Sequence, residues 1–288
     1  MKLLRIVLAV PLLLALLVLA GVYAAGSIET APAQVSIGAP PPDLPAEAVS
    51  FGSASGSRIQ GWFVPGEPNR GAIVLMHGVR ANRLQMLERA QLFHARGFAV
   101  LLFDFQAHGE SPGQAITFGY LESRDARAAF DFLRGKLPDE RIGVLGVSLG
   151  AAAAVLAEKP LEADAMVLEA VYGSFDDALM NRLAMRFGIF RHILFTLYKA
   201  QVHPRLGFDP DWLNPARAIA KLHAPLLLIA GEVDRHATLA EVKAVYAAAN
   251  DPKELWIIPG AAHTDFHHFA TEEYERRVLG FFGPRLSW

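Results

Sequence analysis

A serine stands between two glycines in the pentapeptide GVSLG at residues 146–150. The apolar run at 142–147 is typical of a β-strand, and the alanine-rich run at 149–158 is typical of a helix. A chain that passes from strand to helix in one tight bend crowds its own backbone, so glycine is favoured on both sides of Ser148. Such a bend exposes the serine hydroxyl at a helix N-terminus, where negative charge is stabilised. Ser148 is therefore a candidate nucleophile, and the alternative is a turn residue without a chemical role.

A serine hydroxyl is a poor nucleophile, so it needs a base that is itself oriented by a third group. The chain supplies candidates for both in the order Ser, Asp, His. Asp234 follows the apolar run at 225–230, and His263 follows the predicted strand at 254–258. Because the carboxyl ends of parallel strands meet at one edge of a sheet, we expect the three side chains to converge there.

Residues of the same types lie nearby and are the alternatives: Glu232 and Glu169 for the acid, and His267 and His268 for the base. The chain order favours Asp234, and His263 is the histidine that directly follows the strand, whereas the later two are expected to begin the final helix. No metal is predicted, since a zinc signature needs a further ligand at defined spacing. No cofactor is predicted either, because the glycines form no phosphate-binding motif.

Acyl transfer also needs donors for the tetrahedral oxyanion, usually two backbone amides. One expected donor is the N–H of Leu149, directly after the serine. The other is expected in the loop HGVR at 77–80, where a glycine lets the N–H of Val79 turn inward. His77 is interpreted as a hydrogen-bonding anchor for this loop.

The composition limits the possible classes of protein. With 288 residues, of which 52% are hydrophobic and 19% charged, the chain can form one large domain with a substantial core, or two small domains. Lys and Arg number 27 against 29 Asp and Glu, so the basic excess of a nucleic-acid-binding protein is missing. The chain has no cysteine, which excludes disulfides, thiolate metal sites and cysteine nucleophiles.

The first residues predict contact with a membrane. Lys2 and Arg5 precede 20 uncharged residues at 6–25, a length that matches the bilayer core. We predict residues 1–26 to be an uncleaved anchor, with the basic end cytoplasmic and the domain on the extracytoplasmic, periplasmic side. A signal peptide that is cleaved to secrete the domain is the alternative. Residues 27–46 are rich in proline and predict an extended spacer that lifts the domain off the membrane.

Beyond the spacer, at 47–288, strands alternate with helices. This order predicts an α/β domain with a mostly parallel eight-stranded sheet, covered by helices on both faces and beginning with an antiparallel pair. The predicted strands are 48–51, 58–64, 72–77, 98–105, 142–147, 165–171, 225–230 and 254–258. The predicted helices are 83–95, 121–134, 149–158, 239–249 and 272–282.

One connection is too long for a simple crossover and predicts a cap inserted at about 174–216. Within it, 179–198 has a helical period and many Met, Phe and Leu residues. These apolar residues either pack on the sheet or line an acyl-binding pocket above Ser148. Four arginines either meet a negatively charged substrate or are merely solvated: Arg80, Arg83, Arg182 and Arg186.

From about residue 49 to 282 the chain resembles serine hydrolases of the α/β-hydrolase fold, and it is similar to the membrane-anchored hydrolases of the Bem46-like group. The resemblance rests on five motifs: HG at 77–78, DFQAHGES at 104–111, GVSLG at 146–150, GEVD at 231–234 and AAH at 261–263. It implies that Ser148, Asp234 and His263 carry acyl transfer. One departure is that Gln106 and Ala107 replace an arginine and a glycine common in such families, so no ion pair between an arginine and Asp104 is expected.

The sequence thus predicts a serine hydrolase that acts on carboxylic esters or thioesters through an acyl-enzyme. The expected substrate is a small acyl compound, lipophilic if the cap lines the site, and no nucleic-acid partner is expected. Two alternatives remain: a peptidase or amidase of the same fold, and a catalytically silent, membrane-tethered protein that binds a partner or lipid through its cap.

Overall fold

The structure is a computed structural model that describes residues 2–287, with side chains from residue 10 onward. Its strands are β1 Ala33–Gln34, β2 Glu47–Gly52, β3 Arg58–Val64, β4 Ala72–Met76, β5 Ala99–Phe103, β6 His108–Gly109, β7 Ile142–Val147, β8 Ala165–Glu169, β9 Leu226–Gly231 and β10 Lys253–Ile258. Its α-helices are α1 Lys2–Thr30, α2 Leu87–His94, α3 Glu122–Lys136, α4 Leu149–Leu156, α5 Phe175–Phe187, α6 Arg191–Ala200, α7 Val202–Leu206, α8 Pro215–Ala218, α9 Leu239–Ala248, α10 Phe266–Phe269 and α11 Thr271–Leu286.

Eight strands form one sheet in the order β10-β9-β8-β7-β4-β5-β3-β2. From β10 to β5 every neighbouring pair is parallel, and β3 runs antiparallel to both of its neighbours. The central strands are buried along their whole length, because helices cover both faces of the sheet. These strands are β4, β5, β7, β8 and β9. The prediction of a mostly parallel eight-stranded sheet with an antiparallel start is confirmed.

Apolar helix faces cover both sides of this sheet. Helices α3, α4 and α9 pack with one face, and α2 and α11 pack with the other. The strands that carry the candidate nucleophile, acid and base are β7, β9 and β10, which lie within one half of the sheet. Their carboxyl ends therefore share one edge, and the loops that follow them meet there.

The cap lies between β8 and β9 and consists of short helices. The run at 179–198, predicted as one helical stretch, is broken at Gly188, whose φ of 54° ends α5. A residue in the left-handed region cannot continue an α-helix, so the chain turns and restarts as α6. The result is a pair of packed helices, α5 and α6, in place of one long helix.

The N-terminal segment also differs from its prediction. Helix α1 continues to Thr30, and the proline-rich stretch at 27–46 does not stand free as a spacer. Strand β1 pairs with β6, and the N–H groups of Ile37 and Gly38 donate to Glu110 Oε1 at 2.9 and 3.1 Å. An extended proline-rich chain leaves its own backbone groups unpaired, and here the domain surface satisfies them.

Helix α1 extends out of the domain at its beginning. Residues 10–21 are all exposed although they are apolar. The part from Val10 to Thr30, with a mean hydropathy of 2.1, is long and apolar enough to cross a membrane by length and composition. The side chains of Lys2 and Arg5, which predict the orientation, lie outside the described ones.

Candidate active site

Ser148 occupies the bend between β7 and α4 with a φ of 51°, a backbone conformation that L-residues rarely adopt. A Cβ on Gly146 would come within 2.6 Å of the backbone nitrogen of Ala151. A Cβ on Gly150 would come within 2.3 Å of the Met76 carbonyl oxygen. Both positions are therefore closed to any side chain, which is the crowding that the spacing of the glycines predicts.

Asp234 and His263 are joined directly. The Nδ1–H of His263 donates to Oδ2 of Asp234 at 2.7 Å, and the Asp234 side chain is fully buried. Its other oxygen, Oδ1, accepts the backbone N–H groups of His236 and Ala237 at 2.7 and 3.1 Å. Burial opposes ionisation of this carboxyl, but the hydrogen bonds from His263 and the two amides outweigh it, so the pKa of Asp234 lies below its ordinary value.

Ser148 is not hydrogen-bonded to this pair in the structure. Among the described residues, its hydroxyl forms no hydrogen bond, either with His263 or with another group. Catalytic hydrogen bonds are commonly long before a substrate is bound, and a serine side chain needs only a rotation about one bond to change its direction. The structure thus places the three predicted residues at one sheet edge. The contact between Asp234 and His263 is formed, whereas a hydrogen bond between His263 and Ser148 is not.

Two backbone N–H groups of the cavity lining are unpaired among the described residues. The N–H groups of Val79 and Leu149 donate to no other described group, and both residues line the same cavity as Ser148. Leu149 is also the first residue of α4, so its N–H belongs to the free donors of a helix N-terminus. Unpaired donors at this place are suited to an oxygen that gains negative charge.

The loop that carries Val79 is held by its neighbours. His77 is fully buried and neutral, since burial, with a smaller contribution from His108, lowers its pKa to about 3. Its Nδ1–H donates to the carbonyl of Gly78 at 2.7 Å, and its Nε2 accepts the N–H of Phe105 at 3.1 Å. These bonds give His77 the anchoring position that the sequence predicts for it.

A cavity lies beside Ser148, and its volume is about 1030 Å³ when the solvent-filled opening is included. Its walls are mostly apolar and come from α5, α6 and α7 of the cap, with Phe118 and Tyr172 from the domain below. One further wall is formed by α1, through Gly26, Glu29 and Thr30. Sequence reasoning missed this wall, because residues 1–26 are predicted to be a membrane anchor and residues 27–46 an extended spacer.

Known proteins support this architecture. Residues 67–209 match the family described as serine aminopeptidase, S33. The uncharacterized protein Rv2307c of Mycobacterium tuberculosis is 32% identical over 216 residues, which cover 73% of this chain and 69% of that protein. The chain belongs to the α/β-hydrolase family. Its place in the Bem46-like group, predicted from the motifs, is confirmed by relatives that include human ABHD12B, which is 30% identical over 189 residues, or 62% of this chain and 50% of that protein.

Two further comparisons extend over most of this hydrolase. The uncharacterized protein YqkD of Bacillus subtilis is 27% identical over 233 residues, which are 80% of this chain and 76% of the relative. The solved esterase Pf2001 of Pyrococcus furiosus superposes with a TM-score of 0.72 and 23% identity, covering 90% of this chain and 99% of that chain. The structural likeness shows the α/β-hydrolase fold.

The arginine that Gln106 replaces is substituted by a different arginine, which the sequence did not predict. The hydrolase does contain an ion pair to Asp104, formed by the Arg83 guanidinium at 3.6 Å. The backbone N–H of Arg83 donates to the same carboxylate at 2.7 Å, and its guanidinium also binds Glu110. The expectation that Asp104 lacks an arginine partner was therefore wrong, because the cation comes from a different loop.

The alternative acids and bases have other partners. Glu232 accepts the N–H of Gly260 at 2.8 Å, and Glu169 is paired with Arg89 at 2.9 Å. His267 and His268 lie in the separate short helix α10, before α11 and not within it. They contact Glu275 and Glu88, respectively. Among the described residues, no group of three or more His, Asp or Glu side chains could hold a metal ion.

The four arginines considered for an anionic substrate differ in their surroundings. Arg80 donates to the carbonyls of Ile28 and Ala31 at the end of α1, and Arg83 belongs to the Asp104 pair. Arg182 and Arg186 line the cavity, and Arg186 is also paired with Glu29. His236, which sequence reasoning missed, lies 5.0 Å from His263 between ring centres. Burial, followed by the proximity of His263, lowers its pKa.

A buried polar network supports the loop of His263. Arg89 donates to Glu169 Oε2 at 2.9 Å and to both oxygens of Asp265 at 2.9 and 3.0 Å. The hydroxyl of Tyr274 donates to Glu169 Oε1 at 2.5 Å. Asp265 also accepts the N–H of His267 and so begins α10 two residues after His263. The network thus joins α2, β8, α11 and the histidine loop.

We expect Arg89→Met to lower the free energy of unfolding by about 3–5 kcal/mol, because it leaves Glu169 buried without its cation. The Glu169 side chain is only 1% exposed, so water cannot replace the lost partner. Urea unfolding of the full chain in detergent measures the change. As a control, Arg276→Met removes an exposed pair with Glu273 and should leave the unfolding midpoint nearly unchanged. Equal effects of both substitutions would contradict the prediction.

Proposed function

We propose that this α/β-hydrolase is a serine hydrolase that cleaves carboxylic esters or thioesters through an acyl-enzyme. The observation that carries the proposal is the position of Ser148 at a strained bend, in a mostly apolar cavity that also contains Val79 and Leu149, whose N–H groups are unpaired among the described residues. The bonded pair of Asp234 and His263 follows strands of the same sheet edge and supplies an oriented imidazole. A nucleophile, an oriented base and free amide donors together favour acyl transfer.

The reaction begins when Ser148 Oγ attacks the substrate carbonyl and Nε2 of His263 takes the hydroxyl proton. Asp234 keeps the proton of the imidazole on Nδ1 and stabilises the positive charge that forms. The amides of Val79 and Leu149 hold the oxyanion. The C–O or C–S bond then breaks, and the leaving group takes the proton from His263. Water, deprotonated by the same nitrogen, attacks the acyl-enzyme and releases the acid and the free serine.

The cavity favours an ester over the N-terminus of a peptide. An aminopeptidase, as the family description has it, must bind a positively charged ammonium group. Three arginines line this cavity: Arg182, Arg186 and Arg205. Among the described residues, the one carboxylate in its wall is Glu29, which is paired with Arg186 at 3.0 Å. An ammonium group would therefore meet net positive charge, whereas an uncharged acyl chain fits the apolar walls.

We further propose that α1 is an uncleaved anchor and that the domain lies on the extracytoplasmic side. Lys2 and Arg5 precede the apolar run, which favours a cytoplasmic start. The helix is continuous to Thr30. The exposed apolar surface of residues 10–21 suits the hydrocarbon of a bilayer and is unusual for a surface in water.

A panel of p-nitrophenyl esters from C2 to C16, with an acyl-thioester and a peptide amide, tests the function. We expect labelling of the full chain by a fluorophosphonate, and a rise in kcat/KM of about 100-fold or more from C2 to C8, because added CH2 groups are buried. The amide should be the poorest substrate. A maximum at C2 would contradict the acyl cavity, a preference for the amide would favour the peptidase, and absence of labelling would favour the silent binding protein.

A further inference from the structure

Helix α1 has two halves with different surroundings. Residues 10–21 are exposed, whereas Val22, Gly26 and Thr30 are buried. These three residues are four apart, so they lie on one face of the helix. The last turns of α1 therefore belong to the domain, although the helix has the length and composition of a membrane segment.

The buried face is pressed close to the cap. A Cβ added at Gly26 would lie 2.5 Å from the side-chain oxygen of Gln201, so this side chain would have to move to admit one. At Gly21, on the exposed half, the same Cβ would have nothing within 4 Å. The two glycines thus offer a matched pair of positions on one helix, one packed and one free.

Polar bonds hold α1 in this place. Gln201 donates to the carbonyl of Val22 at 3.2 Å. Arg205 donates to the carbonyl of Tyr23 at 2.9 Å and to the hydroxyl of Ser27 at 2.7 Å. Its guanidinium also lies 4.4 Å from the centre of the Tyr23 ring. Together these contacts hold the helix against the cap and fix the position of the cavity wall.

The wall begins where the apolar run ends. Gly26, Glu29 and Thr30 line the cavity that contains Ser148. A helix rises about 1.5 Å per residue, so these positions lie within about 8 Å of Ala25 along the axis. If the exposed residues up to Gly21 lie in the hydrocarbon core, the cavity wall starts close to its surface.

The cavity also reaches an apolar part of the cap surface. Phe187 lines the cavity and is 42% exposed. Ile189, Phe190 and Ile193, which follow it at the corner between α5 and α6, are 86%, 60% and 67% exposed. Apolar side chains gathered at a cavity rim are typical of a surface that contacts lipid or a partner.

We propose that residues 22–30 of α1 are part of the acyl-binding site, and that the substrate is a long-chain acyl ester drawn from the bilayer leaflet that faces the domain. Its chain lies against Gly26, Glu29 and Thr30, and its ester carbonyl lies at Ser148. The N-terminal helix then acts both as an anchor and as a specificity-determining wall. This inference rests on the proposed serine hydrolase function.

The first test uses the full chain in phosphatidylcholine vesicles with two fluorogenic substrates, 4-methylumbelliferyl palmitate and 4-methylumbelliferyl acetate. Gly26→Leu places a side chain in the wall, and the ratio of kcat/KM for palmitate to that for acetate should fall about 10-fold or more. Gly21→Leu makes the same change on the exposed half and should leave the ratio unaltered. An unchanged ratio in Gly26→Leu, or equal changes in both variants, would overturn the proposal.

A second test locates the chain directly and does not depend on turnover. Because the protein has no cysteine, Glu29→Cys introduces a single thiol in the wall. After reaction of Ser148 with hexadecyl fluorophosphonate, N-ethylmaleimide should modify this thiol about 10-fold more slowly than after reaction with ethyl fluorophosphonate. In Ser36→Cys, at an exposed position after α1, both reagents should leave the rate unchanged.

The outcomes separate the two proposals. If both fluorophosphonates react with the enzyme and protect the wall thiol equally, or if neither protects it, the acyl chain lies elsewhere and the present inference fails alone. If neither fluorophosphonate reacts with the enzyme, the serine hydrolase function fails, and the inference that rests on it fails with it.

Discussion

Replacing Ser148 with alanine is expected to lower kcat for p-nitrophenyl esters by about 10⁴-fold or more and to abolish fluorophosphonate labelling. The substitution removes the attacking oxygen and little else. The hydroxyl forms no hydrogen bond among the described residues and does not cap α4. Alanine meets the same backbone restriction as serine at a φ of 51°. The folded structure should therefore persist, and the loss should be chemical.

A matched control separates the two effects. Ser50→Ala makes the same change on β2, at the opposite edge of the sheet from β10, where the hydroxyl is buried and has no partner among the described residues. Thermal unfolding should be nearly unchanged in both variants, whereas activity and labelling should be lost in Ser148→Ala alone. If Ser148→Ala keeps a tenth of the wild-type activity or its labelling, the nucleophile is another residue.

The strands and the bend at Ser148 were predictable because each depends on local chemistry. A strand covered on both faces must be apolar along its whole length, and runs such as 72–76 and 226–231 show this directly. The glycines at 146 and 150 are required by backbone atoms only a few residues away or on the adjacent strand. Signals of this kind are contained in short windows of sequence.

Features that depend on distant partners were not predictable in the same way. The proline-rich composition of 27–46 indicates an extended chain but does not show that Glu110 accepts its amides. The arginine that pairs with Asp104 comes from residue 83, outside the motif that was compared. The position of α1 as a cavity wall depends on Gln201 and Arg205, which lie 179 and 182 residues further along the chain than their partners in α1.

These distant contacts are also the ones that distinguish this chain within a common fold. The sheet, the bend and the bonded Asp–His pair can serve many acyl-transfer reactions, since fold alone does not select a substrate. The cavity walls select it, and here they come from the cap and from α1. A test of chemistry and a test of chain-length preference therefore address different parts of the molecule and can succeed or fail separately.

Replacing Asp234 with asparagine is expected to lower kcat at neutral pH by about 10⁴-fold. Oδ1 of Asp234 accepts two backbone N–H groups, from His236 and Ala237, so the asparagine must place its carbonyl oxygen there. Its NH2 group then faces Nδ1 of His263, which in the wild type donates at 2.7 Å. The imidazole can avoid two opposed donors only by moving its proton to Nε2, and it can then no longer accept the proton of Ser148.

Glu232→Gln is the matched control for this change, because it neutralises an acid two residues earlier that is exposed and bonded to Gly260. Its kcat should stay within about twofold of the wild type, since the side chain is exposed and glutamine keeps an oxygen that can accept the N–H of Gly260. Both variants should still bind a long-chain substrate, because neither residue lines the cavity. Loss of activity in Glu232→Gln with activity retained in Asp234→Asn would assign the orienting acid to Glu232. Retention in both would point to Glu169, which would then have to leave its pair with Arg89.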